Sequence, residues 1–332
     1  MKTIFAVDFG SVNTSIYKRQ YGLLLKEPTM VALTETNGEV NIKEYGNVAK
    51  KMLGKTNREI QFISPVLNGV IVNMKLAESL LSHFLSKLRV KNEKFDILFT
   101  IPCGLNEEEL VNFKNLGLKV GADNVYFVPA ILTSLLGADV NIERASGYLS
   151  LNMGGGTINV GICSLNSVLD GVTLGFGGNK IDEAIKIYVE NFLDMQVSMQ
   201  ACEKLKNEVG SLFIHDTTNL EISGVDLITK SPKTEVVNAS QLRDTLEFYF
   251  QKIYMCIKML LNKASPDIIS DISINGIVVS GGLANIVGLE NYLSKYLNLP
   301  VLIADDPLNA VVLGAGKLIA DTKHLKKVLE NC

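Results

Sequence analysis

The sequence predicts an α/β chain built from two related halves. Strands and helices alternate along the whole chain, and a glycine-rich turn between two apolar strands occurs twice, far apart. The first turn lies in Val7-Asp8-Phe9-Gly10-Ser11-Val12-Asn13-Thr14 and runs into Ser15-Ile16-Tyr17. The second lies in Leu151-Asn152-Met153-Gly154-Gly155-Gly156-Thr157 and runs into Ile158-Asn159-Val160-Gly161-Ile162. The pattern restarts near Tyr148, which points to an internal duplication.

Residues 1–35 alternate short apolar runs with turn residues, as an antiparallel meander does. Asn37-Gly38 between two such runs is a hairpin signal. Leu76, Leu80, Leu81, Phe84, Leu85 and Leu88 recur at helical spacing, so an amphipathic helix is expected over 77–88. Phe95 to Ile101 reads as a buried strand stopped by Pro102. Asn106 then serves as N-cap before Glu107, Glu108 and Glu109, whose charges complement the helix dipole. A strand over 124–128 and a helix over 131–136 close the first half. In the second half a helix is expected from Lys180 onward. Residues 200–245 hold a helix, a hairpin-like region and a further helix start after Asn238. A long helix over 247–263, strands at 277–279 and 301–304, a helix over 289–296 and a helical tail over 311–329 complete the chain.

Composition narrows the function. A chain of 332 residues buries a sizeable core, and its length suggests about two domains. Hydrophobic residues make up 47%, which excludes a disordered chain. No apolar stretch reaches the roughly 18 residues of a spanning helix. Met1 leads into a strand within three residues, leaving no room for a signal or transit peptide, so a cytoplasmic chain is expected. The five cysteines are odd in number and form no CxxC pair, as in reduced, buried thiols. His83, His215 and His324 do not join them at zinc-ligand spacing. The net charge of −3, with Lys and Arg spread evenly, argues against nucleic acid as a partner.

Glycine in both turns lets backbone N–H groups approach phosphate oxygens without interference from Cβ. Asn13 and Thr14 offer side-chain donors at the first turn, and Thr157 at the second. Asp8 ends its strand facing the loop, where a carboxylate holds Mg²⁺ through water. A third loop, Val279-Ser280-Gly281-Gly282-Leu283-Ala284-Asn285, joins a strand to a helix and suits packing of an adenosine on bare backbone. Any one loop alone is equally well a tight turn between core elements. Two matched turns and a third glycine loop favour phosphate binding.

The order of these motifs resembles the actin, Hsp70 and sugar-kinase superfamily, and within it the bacterial actins of the MreB/Mbl family. The matching stretches are VDFGSVNTSIY, LLLKEPTMVAL, YGNVAKKMLGKT, ISPVLNGVIVN, GGGTINVGICSL, GGNKIDEAIKIYV, KLKNEVGS, SGGLANIVGLENYL and ADDPLNAVVLGAGK, from Val7 to Lys317. LLLKEPTMVAL and ADDPLNAVVLGAGK are specific to this branch. The resemblance implies an actin-like two-domain fold with duplicated ribonuclease-H-like βββαβα cores and a central nucleotide cleft. Its four subdomains would be IA (1–30, 76–136 and 317–332), IB (31–75), IIA (137–180 and 250–316) and IIB (181–249). The resemblance also implies ATP or ADP with Mg²⁺, self-assembly into filaments, and a part in cell shape or motility. Carried over by motif, Gly10, Ser11, Asn13 and Thr14 contact the phosphates, and Gly154, Gly155, Gly156 and Thr157 grip them from the other domain. Glu203 and Lys206 resemble the ribose-contacting pair, though the same spacing is also that of an ordinary i,i+3 salt bridge. Gly281, Gly282 and Asn285 line the adenosine pocket.

Two departures from the family touch the chemistry. The family has a Glu-Pro pair after the strand over 124–128, and its glutamate positions the attacking water with the second-turn threonine. Here the chain reads Val128-Pro129-Ala130-Ile131, so Ala130 marks a lost acid. The second turn of the family begins with Asp, here Asn152, which keeps the shape but loses the charge. Loss of a water-positioning residue costs about 10²–10⁴-fold in rate. The expectation is an ATP-binding protein with weak or absent hydrolysis, Thr157 keeping a residual water contact.

Three alternatives remain at this level: a non-polymerising regulator that co-assembles with paralogous bacterial actins, a small-molecule kinase, and an Hsp70-like ATPase. A kinase needs an Asp near the second turn, and an Hsp70-like ATPase needs a further peptide-binding region. A weak contact with the inner face of the membrane rests on the C-terminal segment. There Lys317, Lys323, Lys326 and Lys327 stand beside Leu318, Ile319, Leu325 and Val328. A terminal helix packed on its own domain has the same pattern. The loop Arg89-Val90-Lys91-Asn92-Glu93-Lys94-Phe95, where related proteins carry an apolar membrane loop, is mostly charged.

Overall fold

The computed structural model describes residues 2–36, 39–56, 59–90 and 93–331. The Asn37-Gly38 hairpin signal therefore lies outside the described residues, as do Lys91, Asn92 and Cys332. Two five-stranded sheets form the frame. In the first, Thr3–Phe9, Asn13–Lys18 and Gly22–Pro28 form an antiparallel meander. Phe95–Ile101 and then Val125–Pro129 add in parallel beside Thr3–Phe9. In the second, Tyr148–Met153, Ile158–Ser164 and Ser167–Leu174 form the meander, and Ile277–Ser280 and Val301–Ile303 add in parallel. With each half's strands counted in chain order, both sheets read 5-4-1-2-3. The duplication first suggested by two like turns extends to the whole sheet.

Sequence decides which strands are central. Phe95–Ile101 and Ile158–Ser164 are buried along nearly their whole length, because helices cover both faces of each sheet. Met74–Ser86 lays Leu76, Leu80, Leu81 and Phe84 against Phe5, Phe95 and Phe99. Asn106 caps Glu107–Lys119 through a capping box with Glu109. The long helix starts at Ala239, capped by Asn238, and runs to Lys263 in the core of the second half. A smaller sheet flanks each half: Val31–Thr36 with Glu39–Tyr45 and Gln61–Ile63, and Met195–Gln196 with Asn219–Asp226 and Pro232–Asn238.

A third core joins the halves. It brings Ile4, Leu98, Val128 and Leu135 together with Tyr148, Cys163, Val278 and Leu318. Ala130–Gly137 and Ala310–Ala320 cross there at very short range. A Cβ on Gly314 would lie 2.7 Å from the Thr133 carbonyl carbon and 2.8 Å from the Gly137 nitrogen, so only glycine permits this approach.

The expected helical tail is two helices, Ala310–Ala320 and Thr322–Glu330. Asp321 breaks them apart, and its carboxylate accepts from the N–H groups of Lys323 and His324. Leu318, Ile319, Leu325 and Val328 all turn into the third core. The apolar face that suggested membrane contact is thus covered by the chain's own domain. Among the described residues, no helix is long and apolar enough to cross a membrane.

Candidate functional site

The two glycine turns are the same turn built twice. Gly10 N–H donates to the Asn13 carbonyl at 3.1 Å, and Gly154 N–H donates to the Thr157 carbonyl at 2.9 Å. A Cβ would crowd that carbonyl in both, at 3.0 Å from Asn13 O and 3.1 Å from Thr157 O. The turns then face each other. A Cβ on Gly155 would come 3.0 Å from Val12 Cβ, and one on Gly156 would come 2.5 Å from Ser11 Oγ. Behind them opens a cleft of about 460 Å³. It gathers Asp8, Gly10, Ser11, Asn13, Ala130, Asn152, Gly154, Gly155, Gly156, Thr157, Glu203, Lys206, Gly281, Gly282 and Asn285.

Thr14 is the exception among the expected residues. Its side chain is fully buried, and its hydroxyl pairs with that of Thr29 at 2.8 Å. Strand alternation sends Asn13 to the cleft and Thr14 to the interior.

Asp8 sits on the cleft floor, where Thr100 Oγ1 donates to Oδ1 at 2.9 Å. Burial of the carboxyl raises its pKa to about 6, against the opposing pull of the Thr100 hydrogen bond and Lys26. Ser11 ties the first turn to the neighbouring loop, its Oγ accepting from Gly69 N–H at 3.1 Å. On the other wall Asn159 Nδ2 donates to Thr157 Oγ1 at 3.4 Å, and Asn159 Oδ1 accepts from Thr173 Oγ1 at 2.7 Å. Ser280 Oγ donates to Asn152 Oδ1 at 3.3 Å. The Gly178–Phe192 helix abuts the second turn, with Gly178 and Asn179 N–H donating to the carbonyls of Gly154 and Gly155 at 3.0 and 2.8 Å.

Glu203 and Lys206 do not form the i,i+3 salt bridge that their spacing allows. Lys206 is buried and lies 2.8 Å from Asp182, and its amine also donates to the Gly178 carbonyl at 3.2 Å. Burial raises the Asp182 pKa, while Lys206 opposes that shift. Glu203 instead reaches Lys50 of the first half at 3.5 Å. In the third loop Gly281 adopts φ +86°, and its N–H donates to the Pro307 carbonyl at 2.7 Å. Gly282–Asn285 follows as one short 3₁₀ turn.

Sequence reasoning missed several lining residues. Ser15, Lys26 and Thr100 extend the floor, while Pro307, Leu308 and Val311 complete the wall beside the third loop. The three floor positions become visible only through strand register. Pro307 and Leu308 lie in the ADDPLNAVVLGAGK stretch that already marked the branch.

Comparison with known proteins agrees with this geometry. A family model described as MreB/Mbl protein matches residues 2–327. Cell shape-determining protein Mbl of Bacillus subtilis is 29% identical over 325 residues, covering 97% of each chain. Cell shape-determining protein MreB of Escherichia coli K12 is 30% identical over 322 residues, 95% of this chain and 92% of that protein. The crystal structure of MreB 5 of Spiroplasma citri bound to AMPPNP superposes with a TM-score of 0.92 at 30% identity, covering 100% of this chain and 99% of that one. The MamK double helical filament, at 19% identity and a TM-score of 0.82 over 97% of this chain and 99% of that one, shares the fold. Two matched glycine turns on two like sheets and a family match over nearly the whole length lead to one conclusion: the chain belongs to the MreB/Mbl family of actin-like proteins.

Proposed function

We propose that this chain is an ATP-binding bacterial actin that assembles into filaments of its own kind and hydrolyses ATP weakly or not at all. The apposition of the two glycine turns across the cleft carries the reading. Bare backbone on both sides suits a chain of phosphates, and the third loop suits an adenosine. The MreB 5 relative was crystallised with both AMPPNP and ADP, which supports the same ligand class here.

The residues also fit a magnesium ion. Among the described residues, Asp8 and Glu203 are the acids that line the cleft, and Asp8 stands on the strand that leads into the first turn. Among the described residues, no cluster of three or more acids, histidines or cysteines forms a metal cage. A magnesium ion held through water and phosphate, with Asp8 as outer ligand, needs no such cage. When bound, it would neutralise phosphate charge. Gly10, Ser11 and Asn13 would hold the phosphates from one side, and Gly154 to Thr157 from the other.

Weak hydrolysis follows from what faces the cleft. Ala130 lines it with a methyl group, whereas Val128 is fully buried in the central core. Asn152 carries no charge. Thr157 remains as the hydroxyl able to contact a water.

Purified protein incubated with Mg-ATP, assayed for phosphate release and imaged by negative-stain electron microscopy, tests both halves. Filaments with little phosphate release support the proposal. Brisk release without filaments overturns it. Co-pelleting that requires a paralogous bacterial actin would instead identify a co-assembling regulator.

A further inference from the structure

Four polar side chains stand in one row across the first sheet. Thr100 pairs with Asp8, Asp8 with Ser15, and Ser15 with Lys26, on four neighbouring strands. All four line the cleft. Neighbouring strands lie about 4.8 Å apart, so Lys26 starts about 10 Å from Asp8.

Among the described residues, two lysines line the cleft, and their circumstances differ. Lys206 is buried and neutralised by Asp182 at 2.8 Å. Lys26 is exposed, and its amine donates to the neutral amide oxygen of Asn309 at 2.7 Å. A nucleoside triphosphate brings several negative charges to a floor that already carries Asp8. Lys26 is the cleft cation placed to offset them without first leaving an ion pair. Exchanging a neutral amide for a phosphate oxygen turns a hydrogen bond with one charged partner into one between opposite charges.

Building on the nucleotide reading above, we propose that Lys26 swings from Asn309 to the phosphates of the bound nucleotide and makes binding depend on phosphate charge. Lys26 is thus a specificity residue that lets the cleft hold di- and triphosphates even where divalent metal is scarce.

The test measures the affinity of full-length protein for ATP, ADP and adenosine, each with Mg²⁺ and with EDTA. The wild type, Lys26→Gln, Lys26→Arg and Asn309→Ala are compared. Lys26→Gln is expected to weaken ATP binding by about 10- to 100-fold in EDTA, the usual range for a lost charge-assisted bond. The loss is smaller with Mg²⁺ and absent for adenosine, and Lys26→Arg recovers most of it. Asn309→Ala leaves ATP affinity within about threefold of wild type. The proposal falls if Lys26→Gln binds ATP like wild type in EDTA. It also falls if adenosine weakens as much as ATP, or if Asn309→Ala reproduces the loss, because Lys26 would then be a mere strut between the domains. Failure of the wild type to bind ATP even with Mg²⁺ would refute the nucleotide reading itself.

Discussion

Gly156→Ala tests whether the two turns must close on each other to hold a ligand. The added Cβ would sit 2.5 Å from both Cβ and Oγ of Ser11. Ordinary carbon contacts need about 3.5 Å or more, so the shortfall is about 1 Å. Ser11 has little freedom to yield, because its Oγ accepts from Gly69 N–H and its carbonyl accepts from Ser64 Oγ at 3.0 Å. The turns must therefore separate, and overpacking of this kind costs about 1–3 kcal/mol. If closure accompanies binding, that cost appears as an ATP affinity weaker by about 5- to 150-fold. Ser11→Gly removes both clashing atoms, and the next atom, the Asn68 nitrogen at 3.7 Å, is in ordinary contact. The double variant should then regain most of the lost affinity, less the value of the Gly69 bond, about 0.5–1.5 kcal/mol. Titration with a fluorescent ATP analogue reads all four corners of this cycle. Unchanged affinity in Gly156→Ala, or no recovery in the double variant, would refute the claim that the apposed turns form the binding clamp.

Ala130→Glu combined with Asn152→Asp should raise steady-state phosphate release by about 10²–10⁴-fold, and no rise would mean that other groups set the rate. The pKa of Asp8, raised to about 6, gives a pH signature. An acid whose folded pKa lies above its unfolded 3.8 stabilises the fold most below pH 3.8, and that contribution is lost as pH rises towards 6. The magnesium-dependent part of ATP affinity should run the opposite way, fading as pH falls below about 6. Calorimetric titrations between pH 5 and 8 should show this trend in the wild type and not in Asp8→Asn. Gly314→Ala places a Cβ 2.8 Å from the Gly137 nitrogen and should lower the thermal midpoint by several degrees. Gly175→Ala, with nothing within 4 Å of the new Cβ, should leave the midpoint nearly unchanged.

What could be read from the sequence follows the range of the interaction that fixes each feature. The glycine turns, the Asn106 cap, the helix start after Asn238 and the buried Phe95–Ile101 strand depend on neighbours a few residues away, and all are legible, although the helix starting there and the one over 247–263 are a single helix. The Pro266–Asn275 helix is not legible, because Ser and Asp interrupt its apolar residues and only Ile272 is buried. The end of the tail helix was hidden for a different reason: Asp321 reads as one more polar residue until its carboxylate is seen capping the next helix.

In the site itself the misplaced Thr14 and the overlooked Ser15 and Lys26 share one cause. The motif carries Thr14 to the phosphates together with Asn13, yet residues of one strand alternate faces. Register corrects it. Asp8 faces the cleft and pairs with Ser15, so Ser15 shares its face and Thr14 points away. The next step of the same register reaches Lys26. One fact about strand pairing thus removes a residue from the site and adds two. No such rule exposes Asp182, which meets Lys206 from another helix 24 residues away. That contact decides which cleft lysine stands in an ion pair and which rests on a neutral amide. The sequence therefore locates the walls of the cleft, while its electrostatics depend on pairings that only the folded chain makes.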